Sequence, residues 1–173
     1  MKKIGLVLAL LITTFSLYAQ NRNDNLAGRI QAIEDRIAIK NVVDTFSTLA
    51  DQKETGRQTL LFTEGATVES ISQGQRGAPL TGRKQIGDAF ANFLKNFDTV
   101  YHINGQQTVT LNGDKASATS YCLVVLIGAV NGKRMKTTMG VFYNDDFVRE
   151  NGRWLIAKRQ SNFAWREQQP VTQ

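Results

Sequence analysis

The sequence predicts an α+β protein: a curved antiparallel sheet of about four to six strands wrapped over three N-terminal helices, a half-barrel. Three observations carry this. Apolar residues recur at helical spacing over 39–50 and 86–97, and the punctuation changes beyond Asp98. Three Asn-Gly pairs, Asn112–Gly113, Asn131–Gly132 and Asn151–Gly152, punctuate the second half. Asn-Gly tolerates the positive φ of a type I′ turn and so marks tight hairpins. Finally, the segments between these turns are too long to lie flat. A strand of about 17 residues would extend roughly 55 Å, so the sheet has to curl.

Taken in order, the helical half begins near Asn25. Ile39, Val42, Val43, Phe46, Leu49 and Ala50 share one helical face, while Leu26, Ile30, Ile33 and Ile37 share a roughly opposite one. Two stripes on one helix imply a kink, a separate first turn, or a partner subunit over the first stripe. After Gly56, Thr59–Phe62 reads as one or two helical turns, and residues 67–71 alternate weakly as a strand. Gln73 to Gly82, with Gly74, Gly77 and Pro79, reads as a loop. Ile86, Ala89, Phe90, Phe93, Leu94 and Phe97 give a third helix over 84–97. Four strands follow at about 99–111, 114–130, 133–150 and 153–165, with Gly105, Gly128 and Gly140 as places to bend or bulge.

The first nineteen residues stand apart. Lys2 and Lys3, an apolar run from Ile4 to about Leu17, and the small Ala19 follow the order of a secretory signal peptide cut after residue 19. The expectation is an exported protein, periplasmic or secreted, with no membrane segment after cleavage. Residues 20–30 would then form an extension, 31–166 the folded domain and 167–173 a flexible tail. Loss of Lys2 and Lys3 takes the net charge from +6 to +4. This surplus is scattered, with short runs at Lys133–Lys136 and Lys158–Arg159 that read as a solvated strand face, so nucleic acid is not an expected partner.

Single residues exclude much chemistry. One cysteine, Cys122, rules out an intrachain disulfide, and in an oxidising compartment it is expected buried. One histidine, His102, rules out a site built from two imidazoles of the same chain. Asp145–Asp146 reads as a solvated acidic turn, so no metal is expected. The glycines at 74, 77 and 82 open no phosphate-binding pattern, and no cofactor is expected.

Four stretches resemble one family. They are Ile33–Asp35 through Phe46, Asp51 and Leu61–Phe62; His102 with Asn112–Ala116; Tyr143–Glu150; and Gly152–Ile156 with Arg159. In order and spacing they resemble the SnoaL-like branch of the nuclear-transport-factor-2-like superfamily over about residues 33–165. The resemblance implies a cone-shaped fold with a pocket at its wide end, and commonly a homodimer, here through the sheet. It also implies that the acid ending the first helix and a histidine of the sheet face the pocket, which by motif are Asp51 and His102. Ala50 before Asp51 and the lack of a second histidine depart from the scytalone dehydratase pattern.

Two function classes follow. One is a cofactor-free lyase or isomerase of a small hydrophobic molecule, in which Asp51 orients His102 as acid or base. The other is a non-catalytic small-ligand-binding or dimerisation module. A regular wheel puts Asp51 opposite the second apolar stripe, as a plain helix-end acid would be. Asn104, Phe46, Tyr121, Tyr143 and Trp165 are the candidate substrate-binding residues.

Overall fold

The four-stranded meander forms as its turns dictate. In the computed structural model β4 (Thr99–Asn112), β5 (Lys115–Val130), β6 (Lys133–Glu150) and β7 (Arg153–Pro170) pair antiparallel in sequence. The structure describes the backbone of residues 2–171 and the side chains of residues 25–171. The leader expected at 1–19 lies outside the described side chains. Asn131 and Gly132 have φ of 51° and 75°, and Asn151 and Gly152 the same, the pair of positive angles a type I′ turn requires. In the first hairpin Asn112 pairs with Lys115, so the loop is Gly113–Asp114, and the positive φ falls on Gly113 alone.

Two compact units divide the chain, Met1–Ile37 and Ala38–Gln173. Helix α1 is Lys2–Asp51. Within the first unit Leu26, Ile30, Ile33 and Ile37 are exposed. Within the second, Ile39, Val43, Phe46 and Ala50 enter the core, as the second stripe predicts. After α1 come α2 (Thr55–Gln58) and a 3₁₀ turn over Thr59–Leu61.

The N-terminal half holds more sheet than the sequence suggests. Strand β1 spans Phe62–Ser72, with Phe62, Ala66 and Val68 buried. The 73–82 segment is not simply a loop. Gln73 and Gly74 take φ of 51° and 75° and turn β1 back on β2 (Gln75–Arg76), and β3 (Leu80–Thr81) pairs with β1 as well. Helix α3 is Gly82–Leu94. The sheet is seven-stranded, curved and unclosed, in the order β2-β1-β7-β6-β5-β4 with β3 on β1. The antiparallel expectation holds throughout except at β1 and β7, which pair in parallel. Strand β7 also runs on through Pro170, so 167–170 pair with β6 where the sequence reads as tail.

Two charges read as solvated are the most buried among the described residues. Asp145 and Arg159 are 2% and 0% exposed and face one another across β6 and β7. Arg159 donates from Nε to Asp145 Oδ1 at 2.8 Å and from Nη2 to Oδ2 at 2.6 Å. Its guanidinium lies between the rings of Phe46 and Tyr143, 4.1 and 4.2 Å from their centroids, so the face-on aromatics take up the remaining charge. A bidentate fork is the arrangement that best offsets the cost of taking both ions out of water. Asp145→Ala strands the guanidinium and is expected to cost about 3–5 kcal/mol, measured by urea unfolding. Replacing both residues with apolar ones should cost far less.

Candidate functional site

Beside the apolar stripe of α1 runs a second row at helical spacing: Lys40, Asp44, Ser47 and Asp51. Lys40 and Asp44 form an ion pair within this row. The others meet the inner face of β4. Asn104 donates from Nδ2 to Asp44 Oδ1 at 2.9 Å and accepts from Ser47 Oγ at 3.1 Å. One turn on, Asp51 Oδ1 lies 2.6 Å from His102 Nδ1, and Asp51 Oδ2 accepts the His102 backbone N–H at 3.3 Å. Asp51 is therefore not opposite the packed side of the helix. It sits beside it, on the flank turned towards β4. The helix ends immediately afterwards: Lys53 takes φ 58°, and its N–H and that of Glu54 return to Ala50 O and Leu49 O. Such a left-handed stop fixes the last turn, and with it the Asp51 carboxylate.

The His102 side chain is only 8% exposed, and its ring lines a cavity of about 370 Å³. Phe46, Phe90, Phe93, Met139, Tyr143 and Phe163 supply most of the apolar wall. Nε2 makes no hydrogen bond to any described residue. Burial pushes the His102 pKa below its ordinary value of 6.5, outweighing the pull of Asp51 in the other direction, with a smaller downward push from Arg159. At neutral pH the ring is thus uncharged. A neutral ring this close to a carboxylate carries its proton on Nδ1 and donates it to Asp51, which leaves the Nε2 lone pair free.

The remaining candidates divide. Phe46 and Tyr143 line the cavity with His102. Cys122 is buried behind this wall, and burial pushes its thiol up to about 11. Asn104 shares the face of His102 but is consumed by α1, through Asp44, Ser47 and the Val43 carbonyl, and does not reach the cavity. Tyr121 belongs to the opposite face of the sheet, 55% exposed and beside Phe142. Trp165, 46% exposed, lies over Gly140, where an added Cβ would meet its indole Nε1 at 2.1 Å. Gln58 escapes a sequence reading. It is buried on the cavity wall, donating to Phe46 O at 3.0 Å, with no partner for Oε1. No pattern in the sequence marks it. Asp145 and Arg159, by contrast, fall on the inward parity of their strands.

A helix-borne acid, a sheet histidine and an apolar cavity within a curved sheet define a pocket-bearing α+β protein of the nuclear-transport-factor-2-like kind. Residues 31–160 match the SnoaL-like domain family, and the chain belongs to it. An uncharacterised Mycobacterium tuberculosis protein is 29% identical over 132 residues, 75% of this chain and 86% of the relative. Among solved structures, a Novosphingobium aromaticivorans protein named for scytalone dehydratase superposes with a TM-score of 0.69 at 18% identity, over 82% of this chain and 91% of that one. A type 2 hexachlorocyclohexane dehydrochlorinase does so with a TM-score of 0.65 at 15% identity, over 82% and 91%. These likenesses establish the fold.

A histidine held neutral in the folded state opposes folding once the unfolded chain can protonate it. Stability is therefore intact above about pH 6.5 and declines as pH falls below that value. With a single histidine in the chain, the effect is separable. Urea unfolding at about pH 7.5 and pH 5.5 should show a smaller loss in His102→Gln than in the wild type.

Proposed function

We propose that this protein is an exported, cofactor-free lyase or isomerase acting on a small, largely apolar molecule, with His102 as general base and Asp51 as the group that orients it. The observation that carries the reading is the 2.6 Å contact between Asp51 Oδ1 and His102 Nδ1 on a ring that lines the cavity. Nε2 takes a proton from a carbon acid of the bound molecule, and the released electron pair forms a double bond. In a lyase the bond to a leaving group on the adjacent carbon breaks and that group departs with its pair. In an isomerase the proton returns from Nε2 to another carbon. The imidazolium formed is stabilised by Asp51, the more so because the ring is largely buried. Tyr143 is the available donor for a substrate carbonyl, since Asn104 is held by the helix.

The family membership and the neighbours named for a dehydratase and a dehydrochlorinase support a small-molecule lyase or isomerase type of fold. The rival is a pocket that binds without turning anything over. A panel of cyclic β-hydroxy and β-halo ketones discriminates, followed by elimination and by exchange of the α-proton with deuterium. His102→Gln should lower turnover by about 10²–10⁴-fold. Asp51→Asn should lower it with a changed pH profile. Turnover indifferent to His102 would leave the binding reading.

A homodimer through the sheet is part of the same proposal. Tyr101, Ile103 and Tyr121 are exposed on the outer face, away from the cavity. An apolar patch of this kind marks an association surface on a soluble protein. Tyr121→Glu should shift the sedimentation coefficient from dimer to monomer and leave the far-ultraviolet circular dichroism unchanged.

A further inference from the structure

A second hollow of about 480 Å³ adjoins the cavity across Phe93, Met139 and Phe163 and is lined further by Phe97, Trp165 and Arg166. Among the described residues Arg166 is the only charged one lining either hollow, and no described carboxylate lines them. The neutral His102 adds no charge. Among the described residues Arg166 has no ion-pair partner.

Its position is the result of a bulge. Val141 pairs with Phe163, yet its neighbour Gly140 pairs with Trp165, so Ala164 is an extra residue in β7. Up to Phe163 the odd residues of β7 face inward, opposite Tyr143 and Val141. Past the bulge Arg166 pairs with Met139, on the cavity side, and Gln168 with Thr137, to whose hydroxyl it donates at 2.9 Å. Without the extra residue Trp165 would face Met139, and Arg166 would point to the outside. A bulge beside a cavity is a device for re-aiming a side chain, and here it sets a guanidinium at the mouth of an apolar space.

We infer that the molecule accommodated here is elongated and amphipathic, its apolar body spanning both hollows and a carboxylate or similar anion meeting Arg166. The inference rests on the pocket reading above and adds to it the class of ligand. A guanidinium offers a carboxylate two parallel donors, and it makes a neutral chain of equal length the poorer ligand.

The test compares octanoate with 1-octanol at pH 7.5, following binding through the His102 Hε1 resonance in the wild type, Arg166→Gln and Lys158→Gln. The expected result is tighter binding of octanoate, weakened by about threefold or more in Arg166→Gln, with octanol binding unchanged and both affinities unchanged in Lys158→Gln. The octanoate preference should also shrink between low and high salt. Octanol binding as tightly as octanoate, or a preference that survives Arg166→Gln, would overturn the assignment. If His102 still responds to octanol in that case, the pocket and its base stand and only the anion site falls. If His102 responds to neither ligand, both fall.

Discussion

The structure depends on how α1 is fastened to an edge strand. β4 ends the sheet on one side, and among the described residues nothing pairs with its free edge in the order β2-β1-β7-β6-β5-β4. An unclosed edge invites further pairing and leaves the curved sheet without a second wall. Here polar side chains hold that strand to the helix. Asn104 meets Asp44 and Ser47, and His102 meets Asp51 through both its ring and its backbone N–H. The same contacts that tie the helix to the sheet set the tautomer and direction of the imidazole. Structure and chemistry share one row of residues, so the site is positioned to the accuracy of the fold itself.

A second constraint works from beneath. The Arg159–Asp145 pair is buried, and its guanidinium is gripped by Phe46 and Tyr143, two of the cavity's walls. These rings cannot swing away without exposing the cation to an apolar surround. The wall is thereby stiffened where it meets His102, and Arg159 adds a positive potential that favours the neutral imidazole. An imidazole that is buried, uncharged and oriented before anything binds is what the proposed proton abstraction from carbon requires.

Much of this was legible in the sequence, and the failures have physical causes. Two hairpins were fixed by Asn131–Gly132 and Asn151–Gly152 because only a few residue types accept two positive φ angles in succession, whereas the Asn112–Gly113 turn is shifted by one residue onto Gly113–Asp114. Gln73–Gly74 makes the same kind of turn with a less telling first residue, and so the β1–β2 hairpin was hidden in a glycine-rich stretch. The parallel pairing of β1 with β7 joins segments some ninety residues apart and has no local signature. Asp51 was misplaced because attention to the apolar stripe overlooked the polar row next to it, Lys40, Asp44, Ser47 and Asp51. Tyr121 was misassigned because hydrophobic type does not tell which sheet face is inside, and here both faces carry aromatics. Asn104 has the right parity, yet a polar residue facing the helix can be spent on holding it. The His102–Asp51 pairing came from family resemblance and not from periodicity, since no spacing rule links residues 51 apart.

The central claim is that burial keeps His102 neutral against the upward pull of Asp51, as the proposed base must be. Its most direct test is the pH titration of the single histidine by NMR, in the wild-type protein and in Asp51→Asn. The account predicts a midpoint below the ordinary value of about 6.5, set by burial, and a further fall when the carboxylate that pulls it upward is neutralised. A midpoint at or above 6.5, or one that Asp51→Asn leaves unmoved, would contradict it.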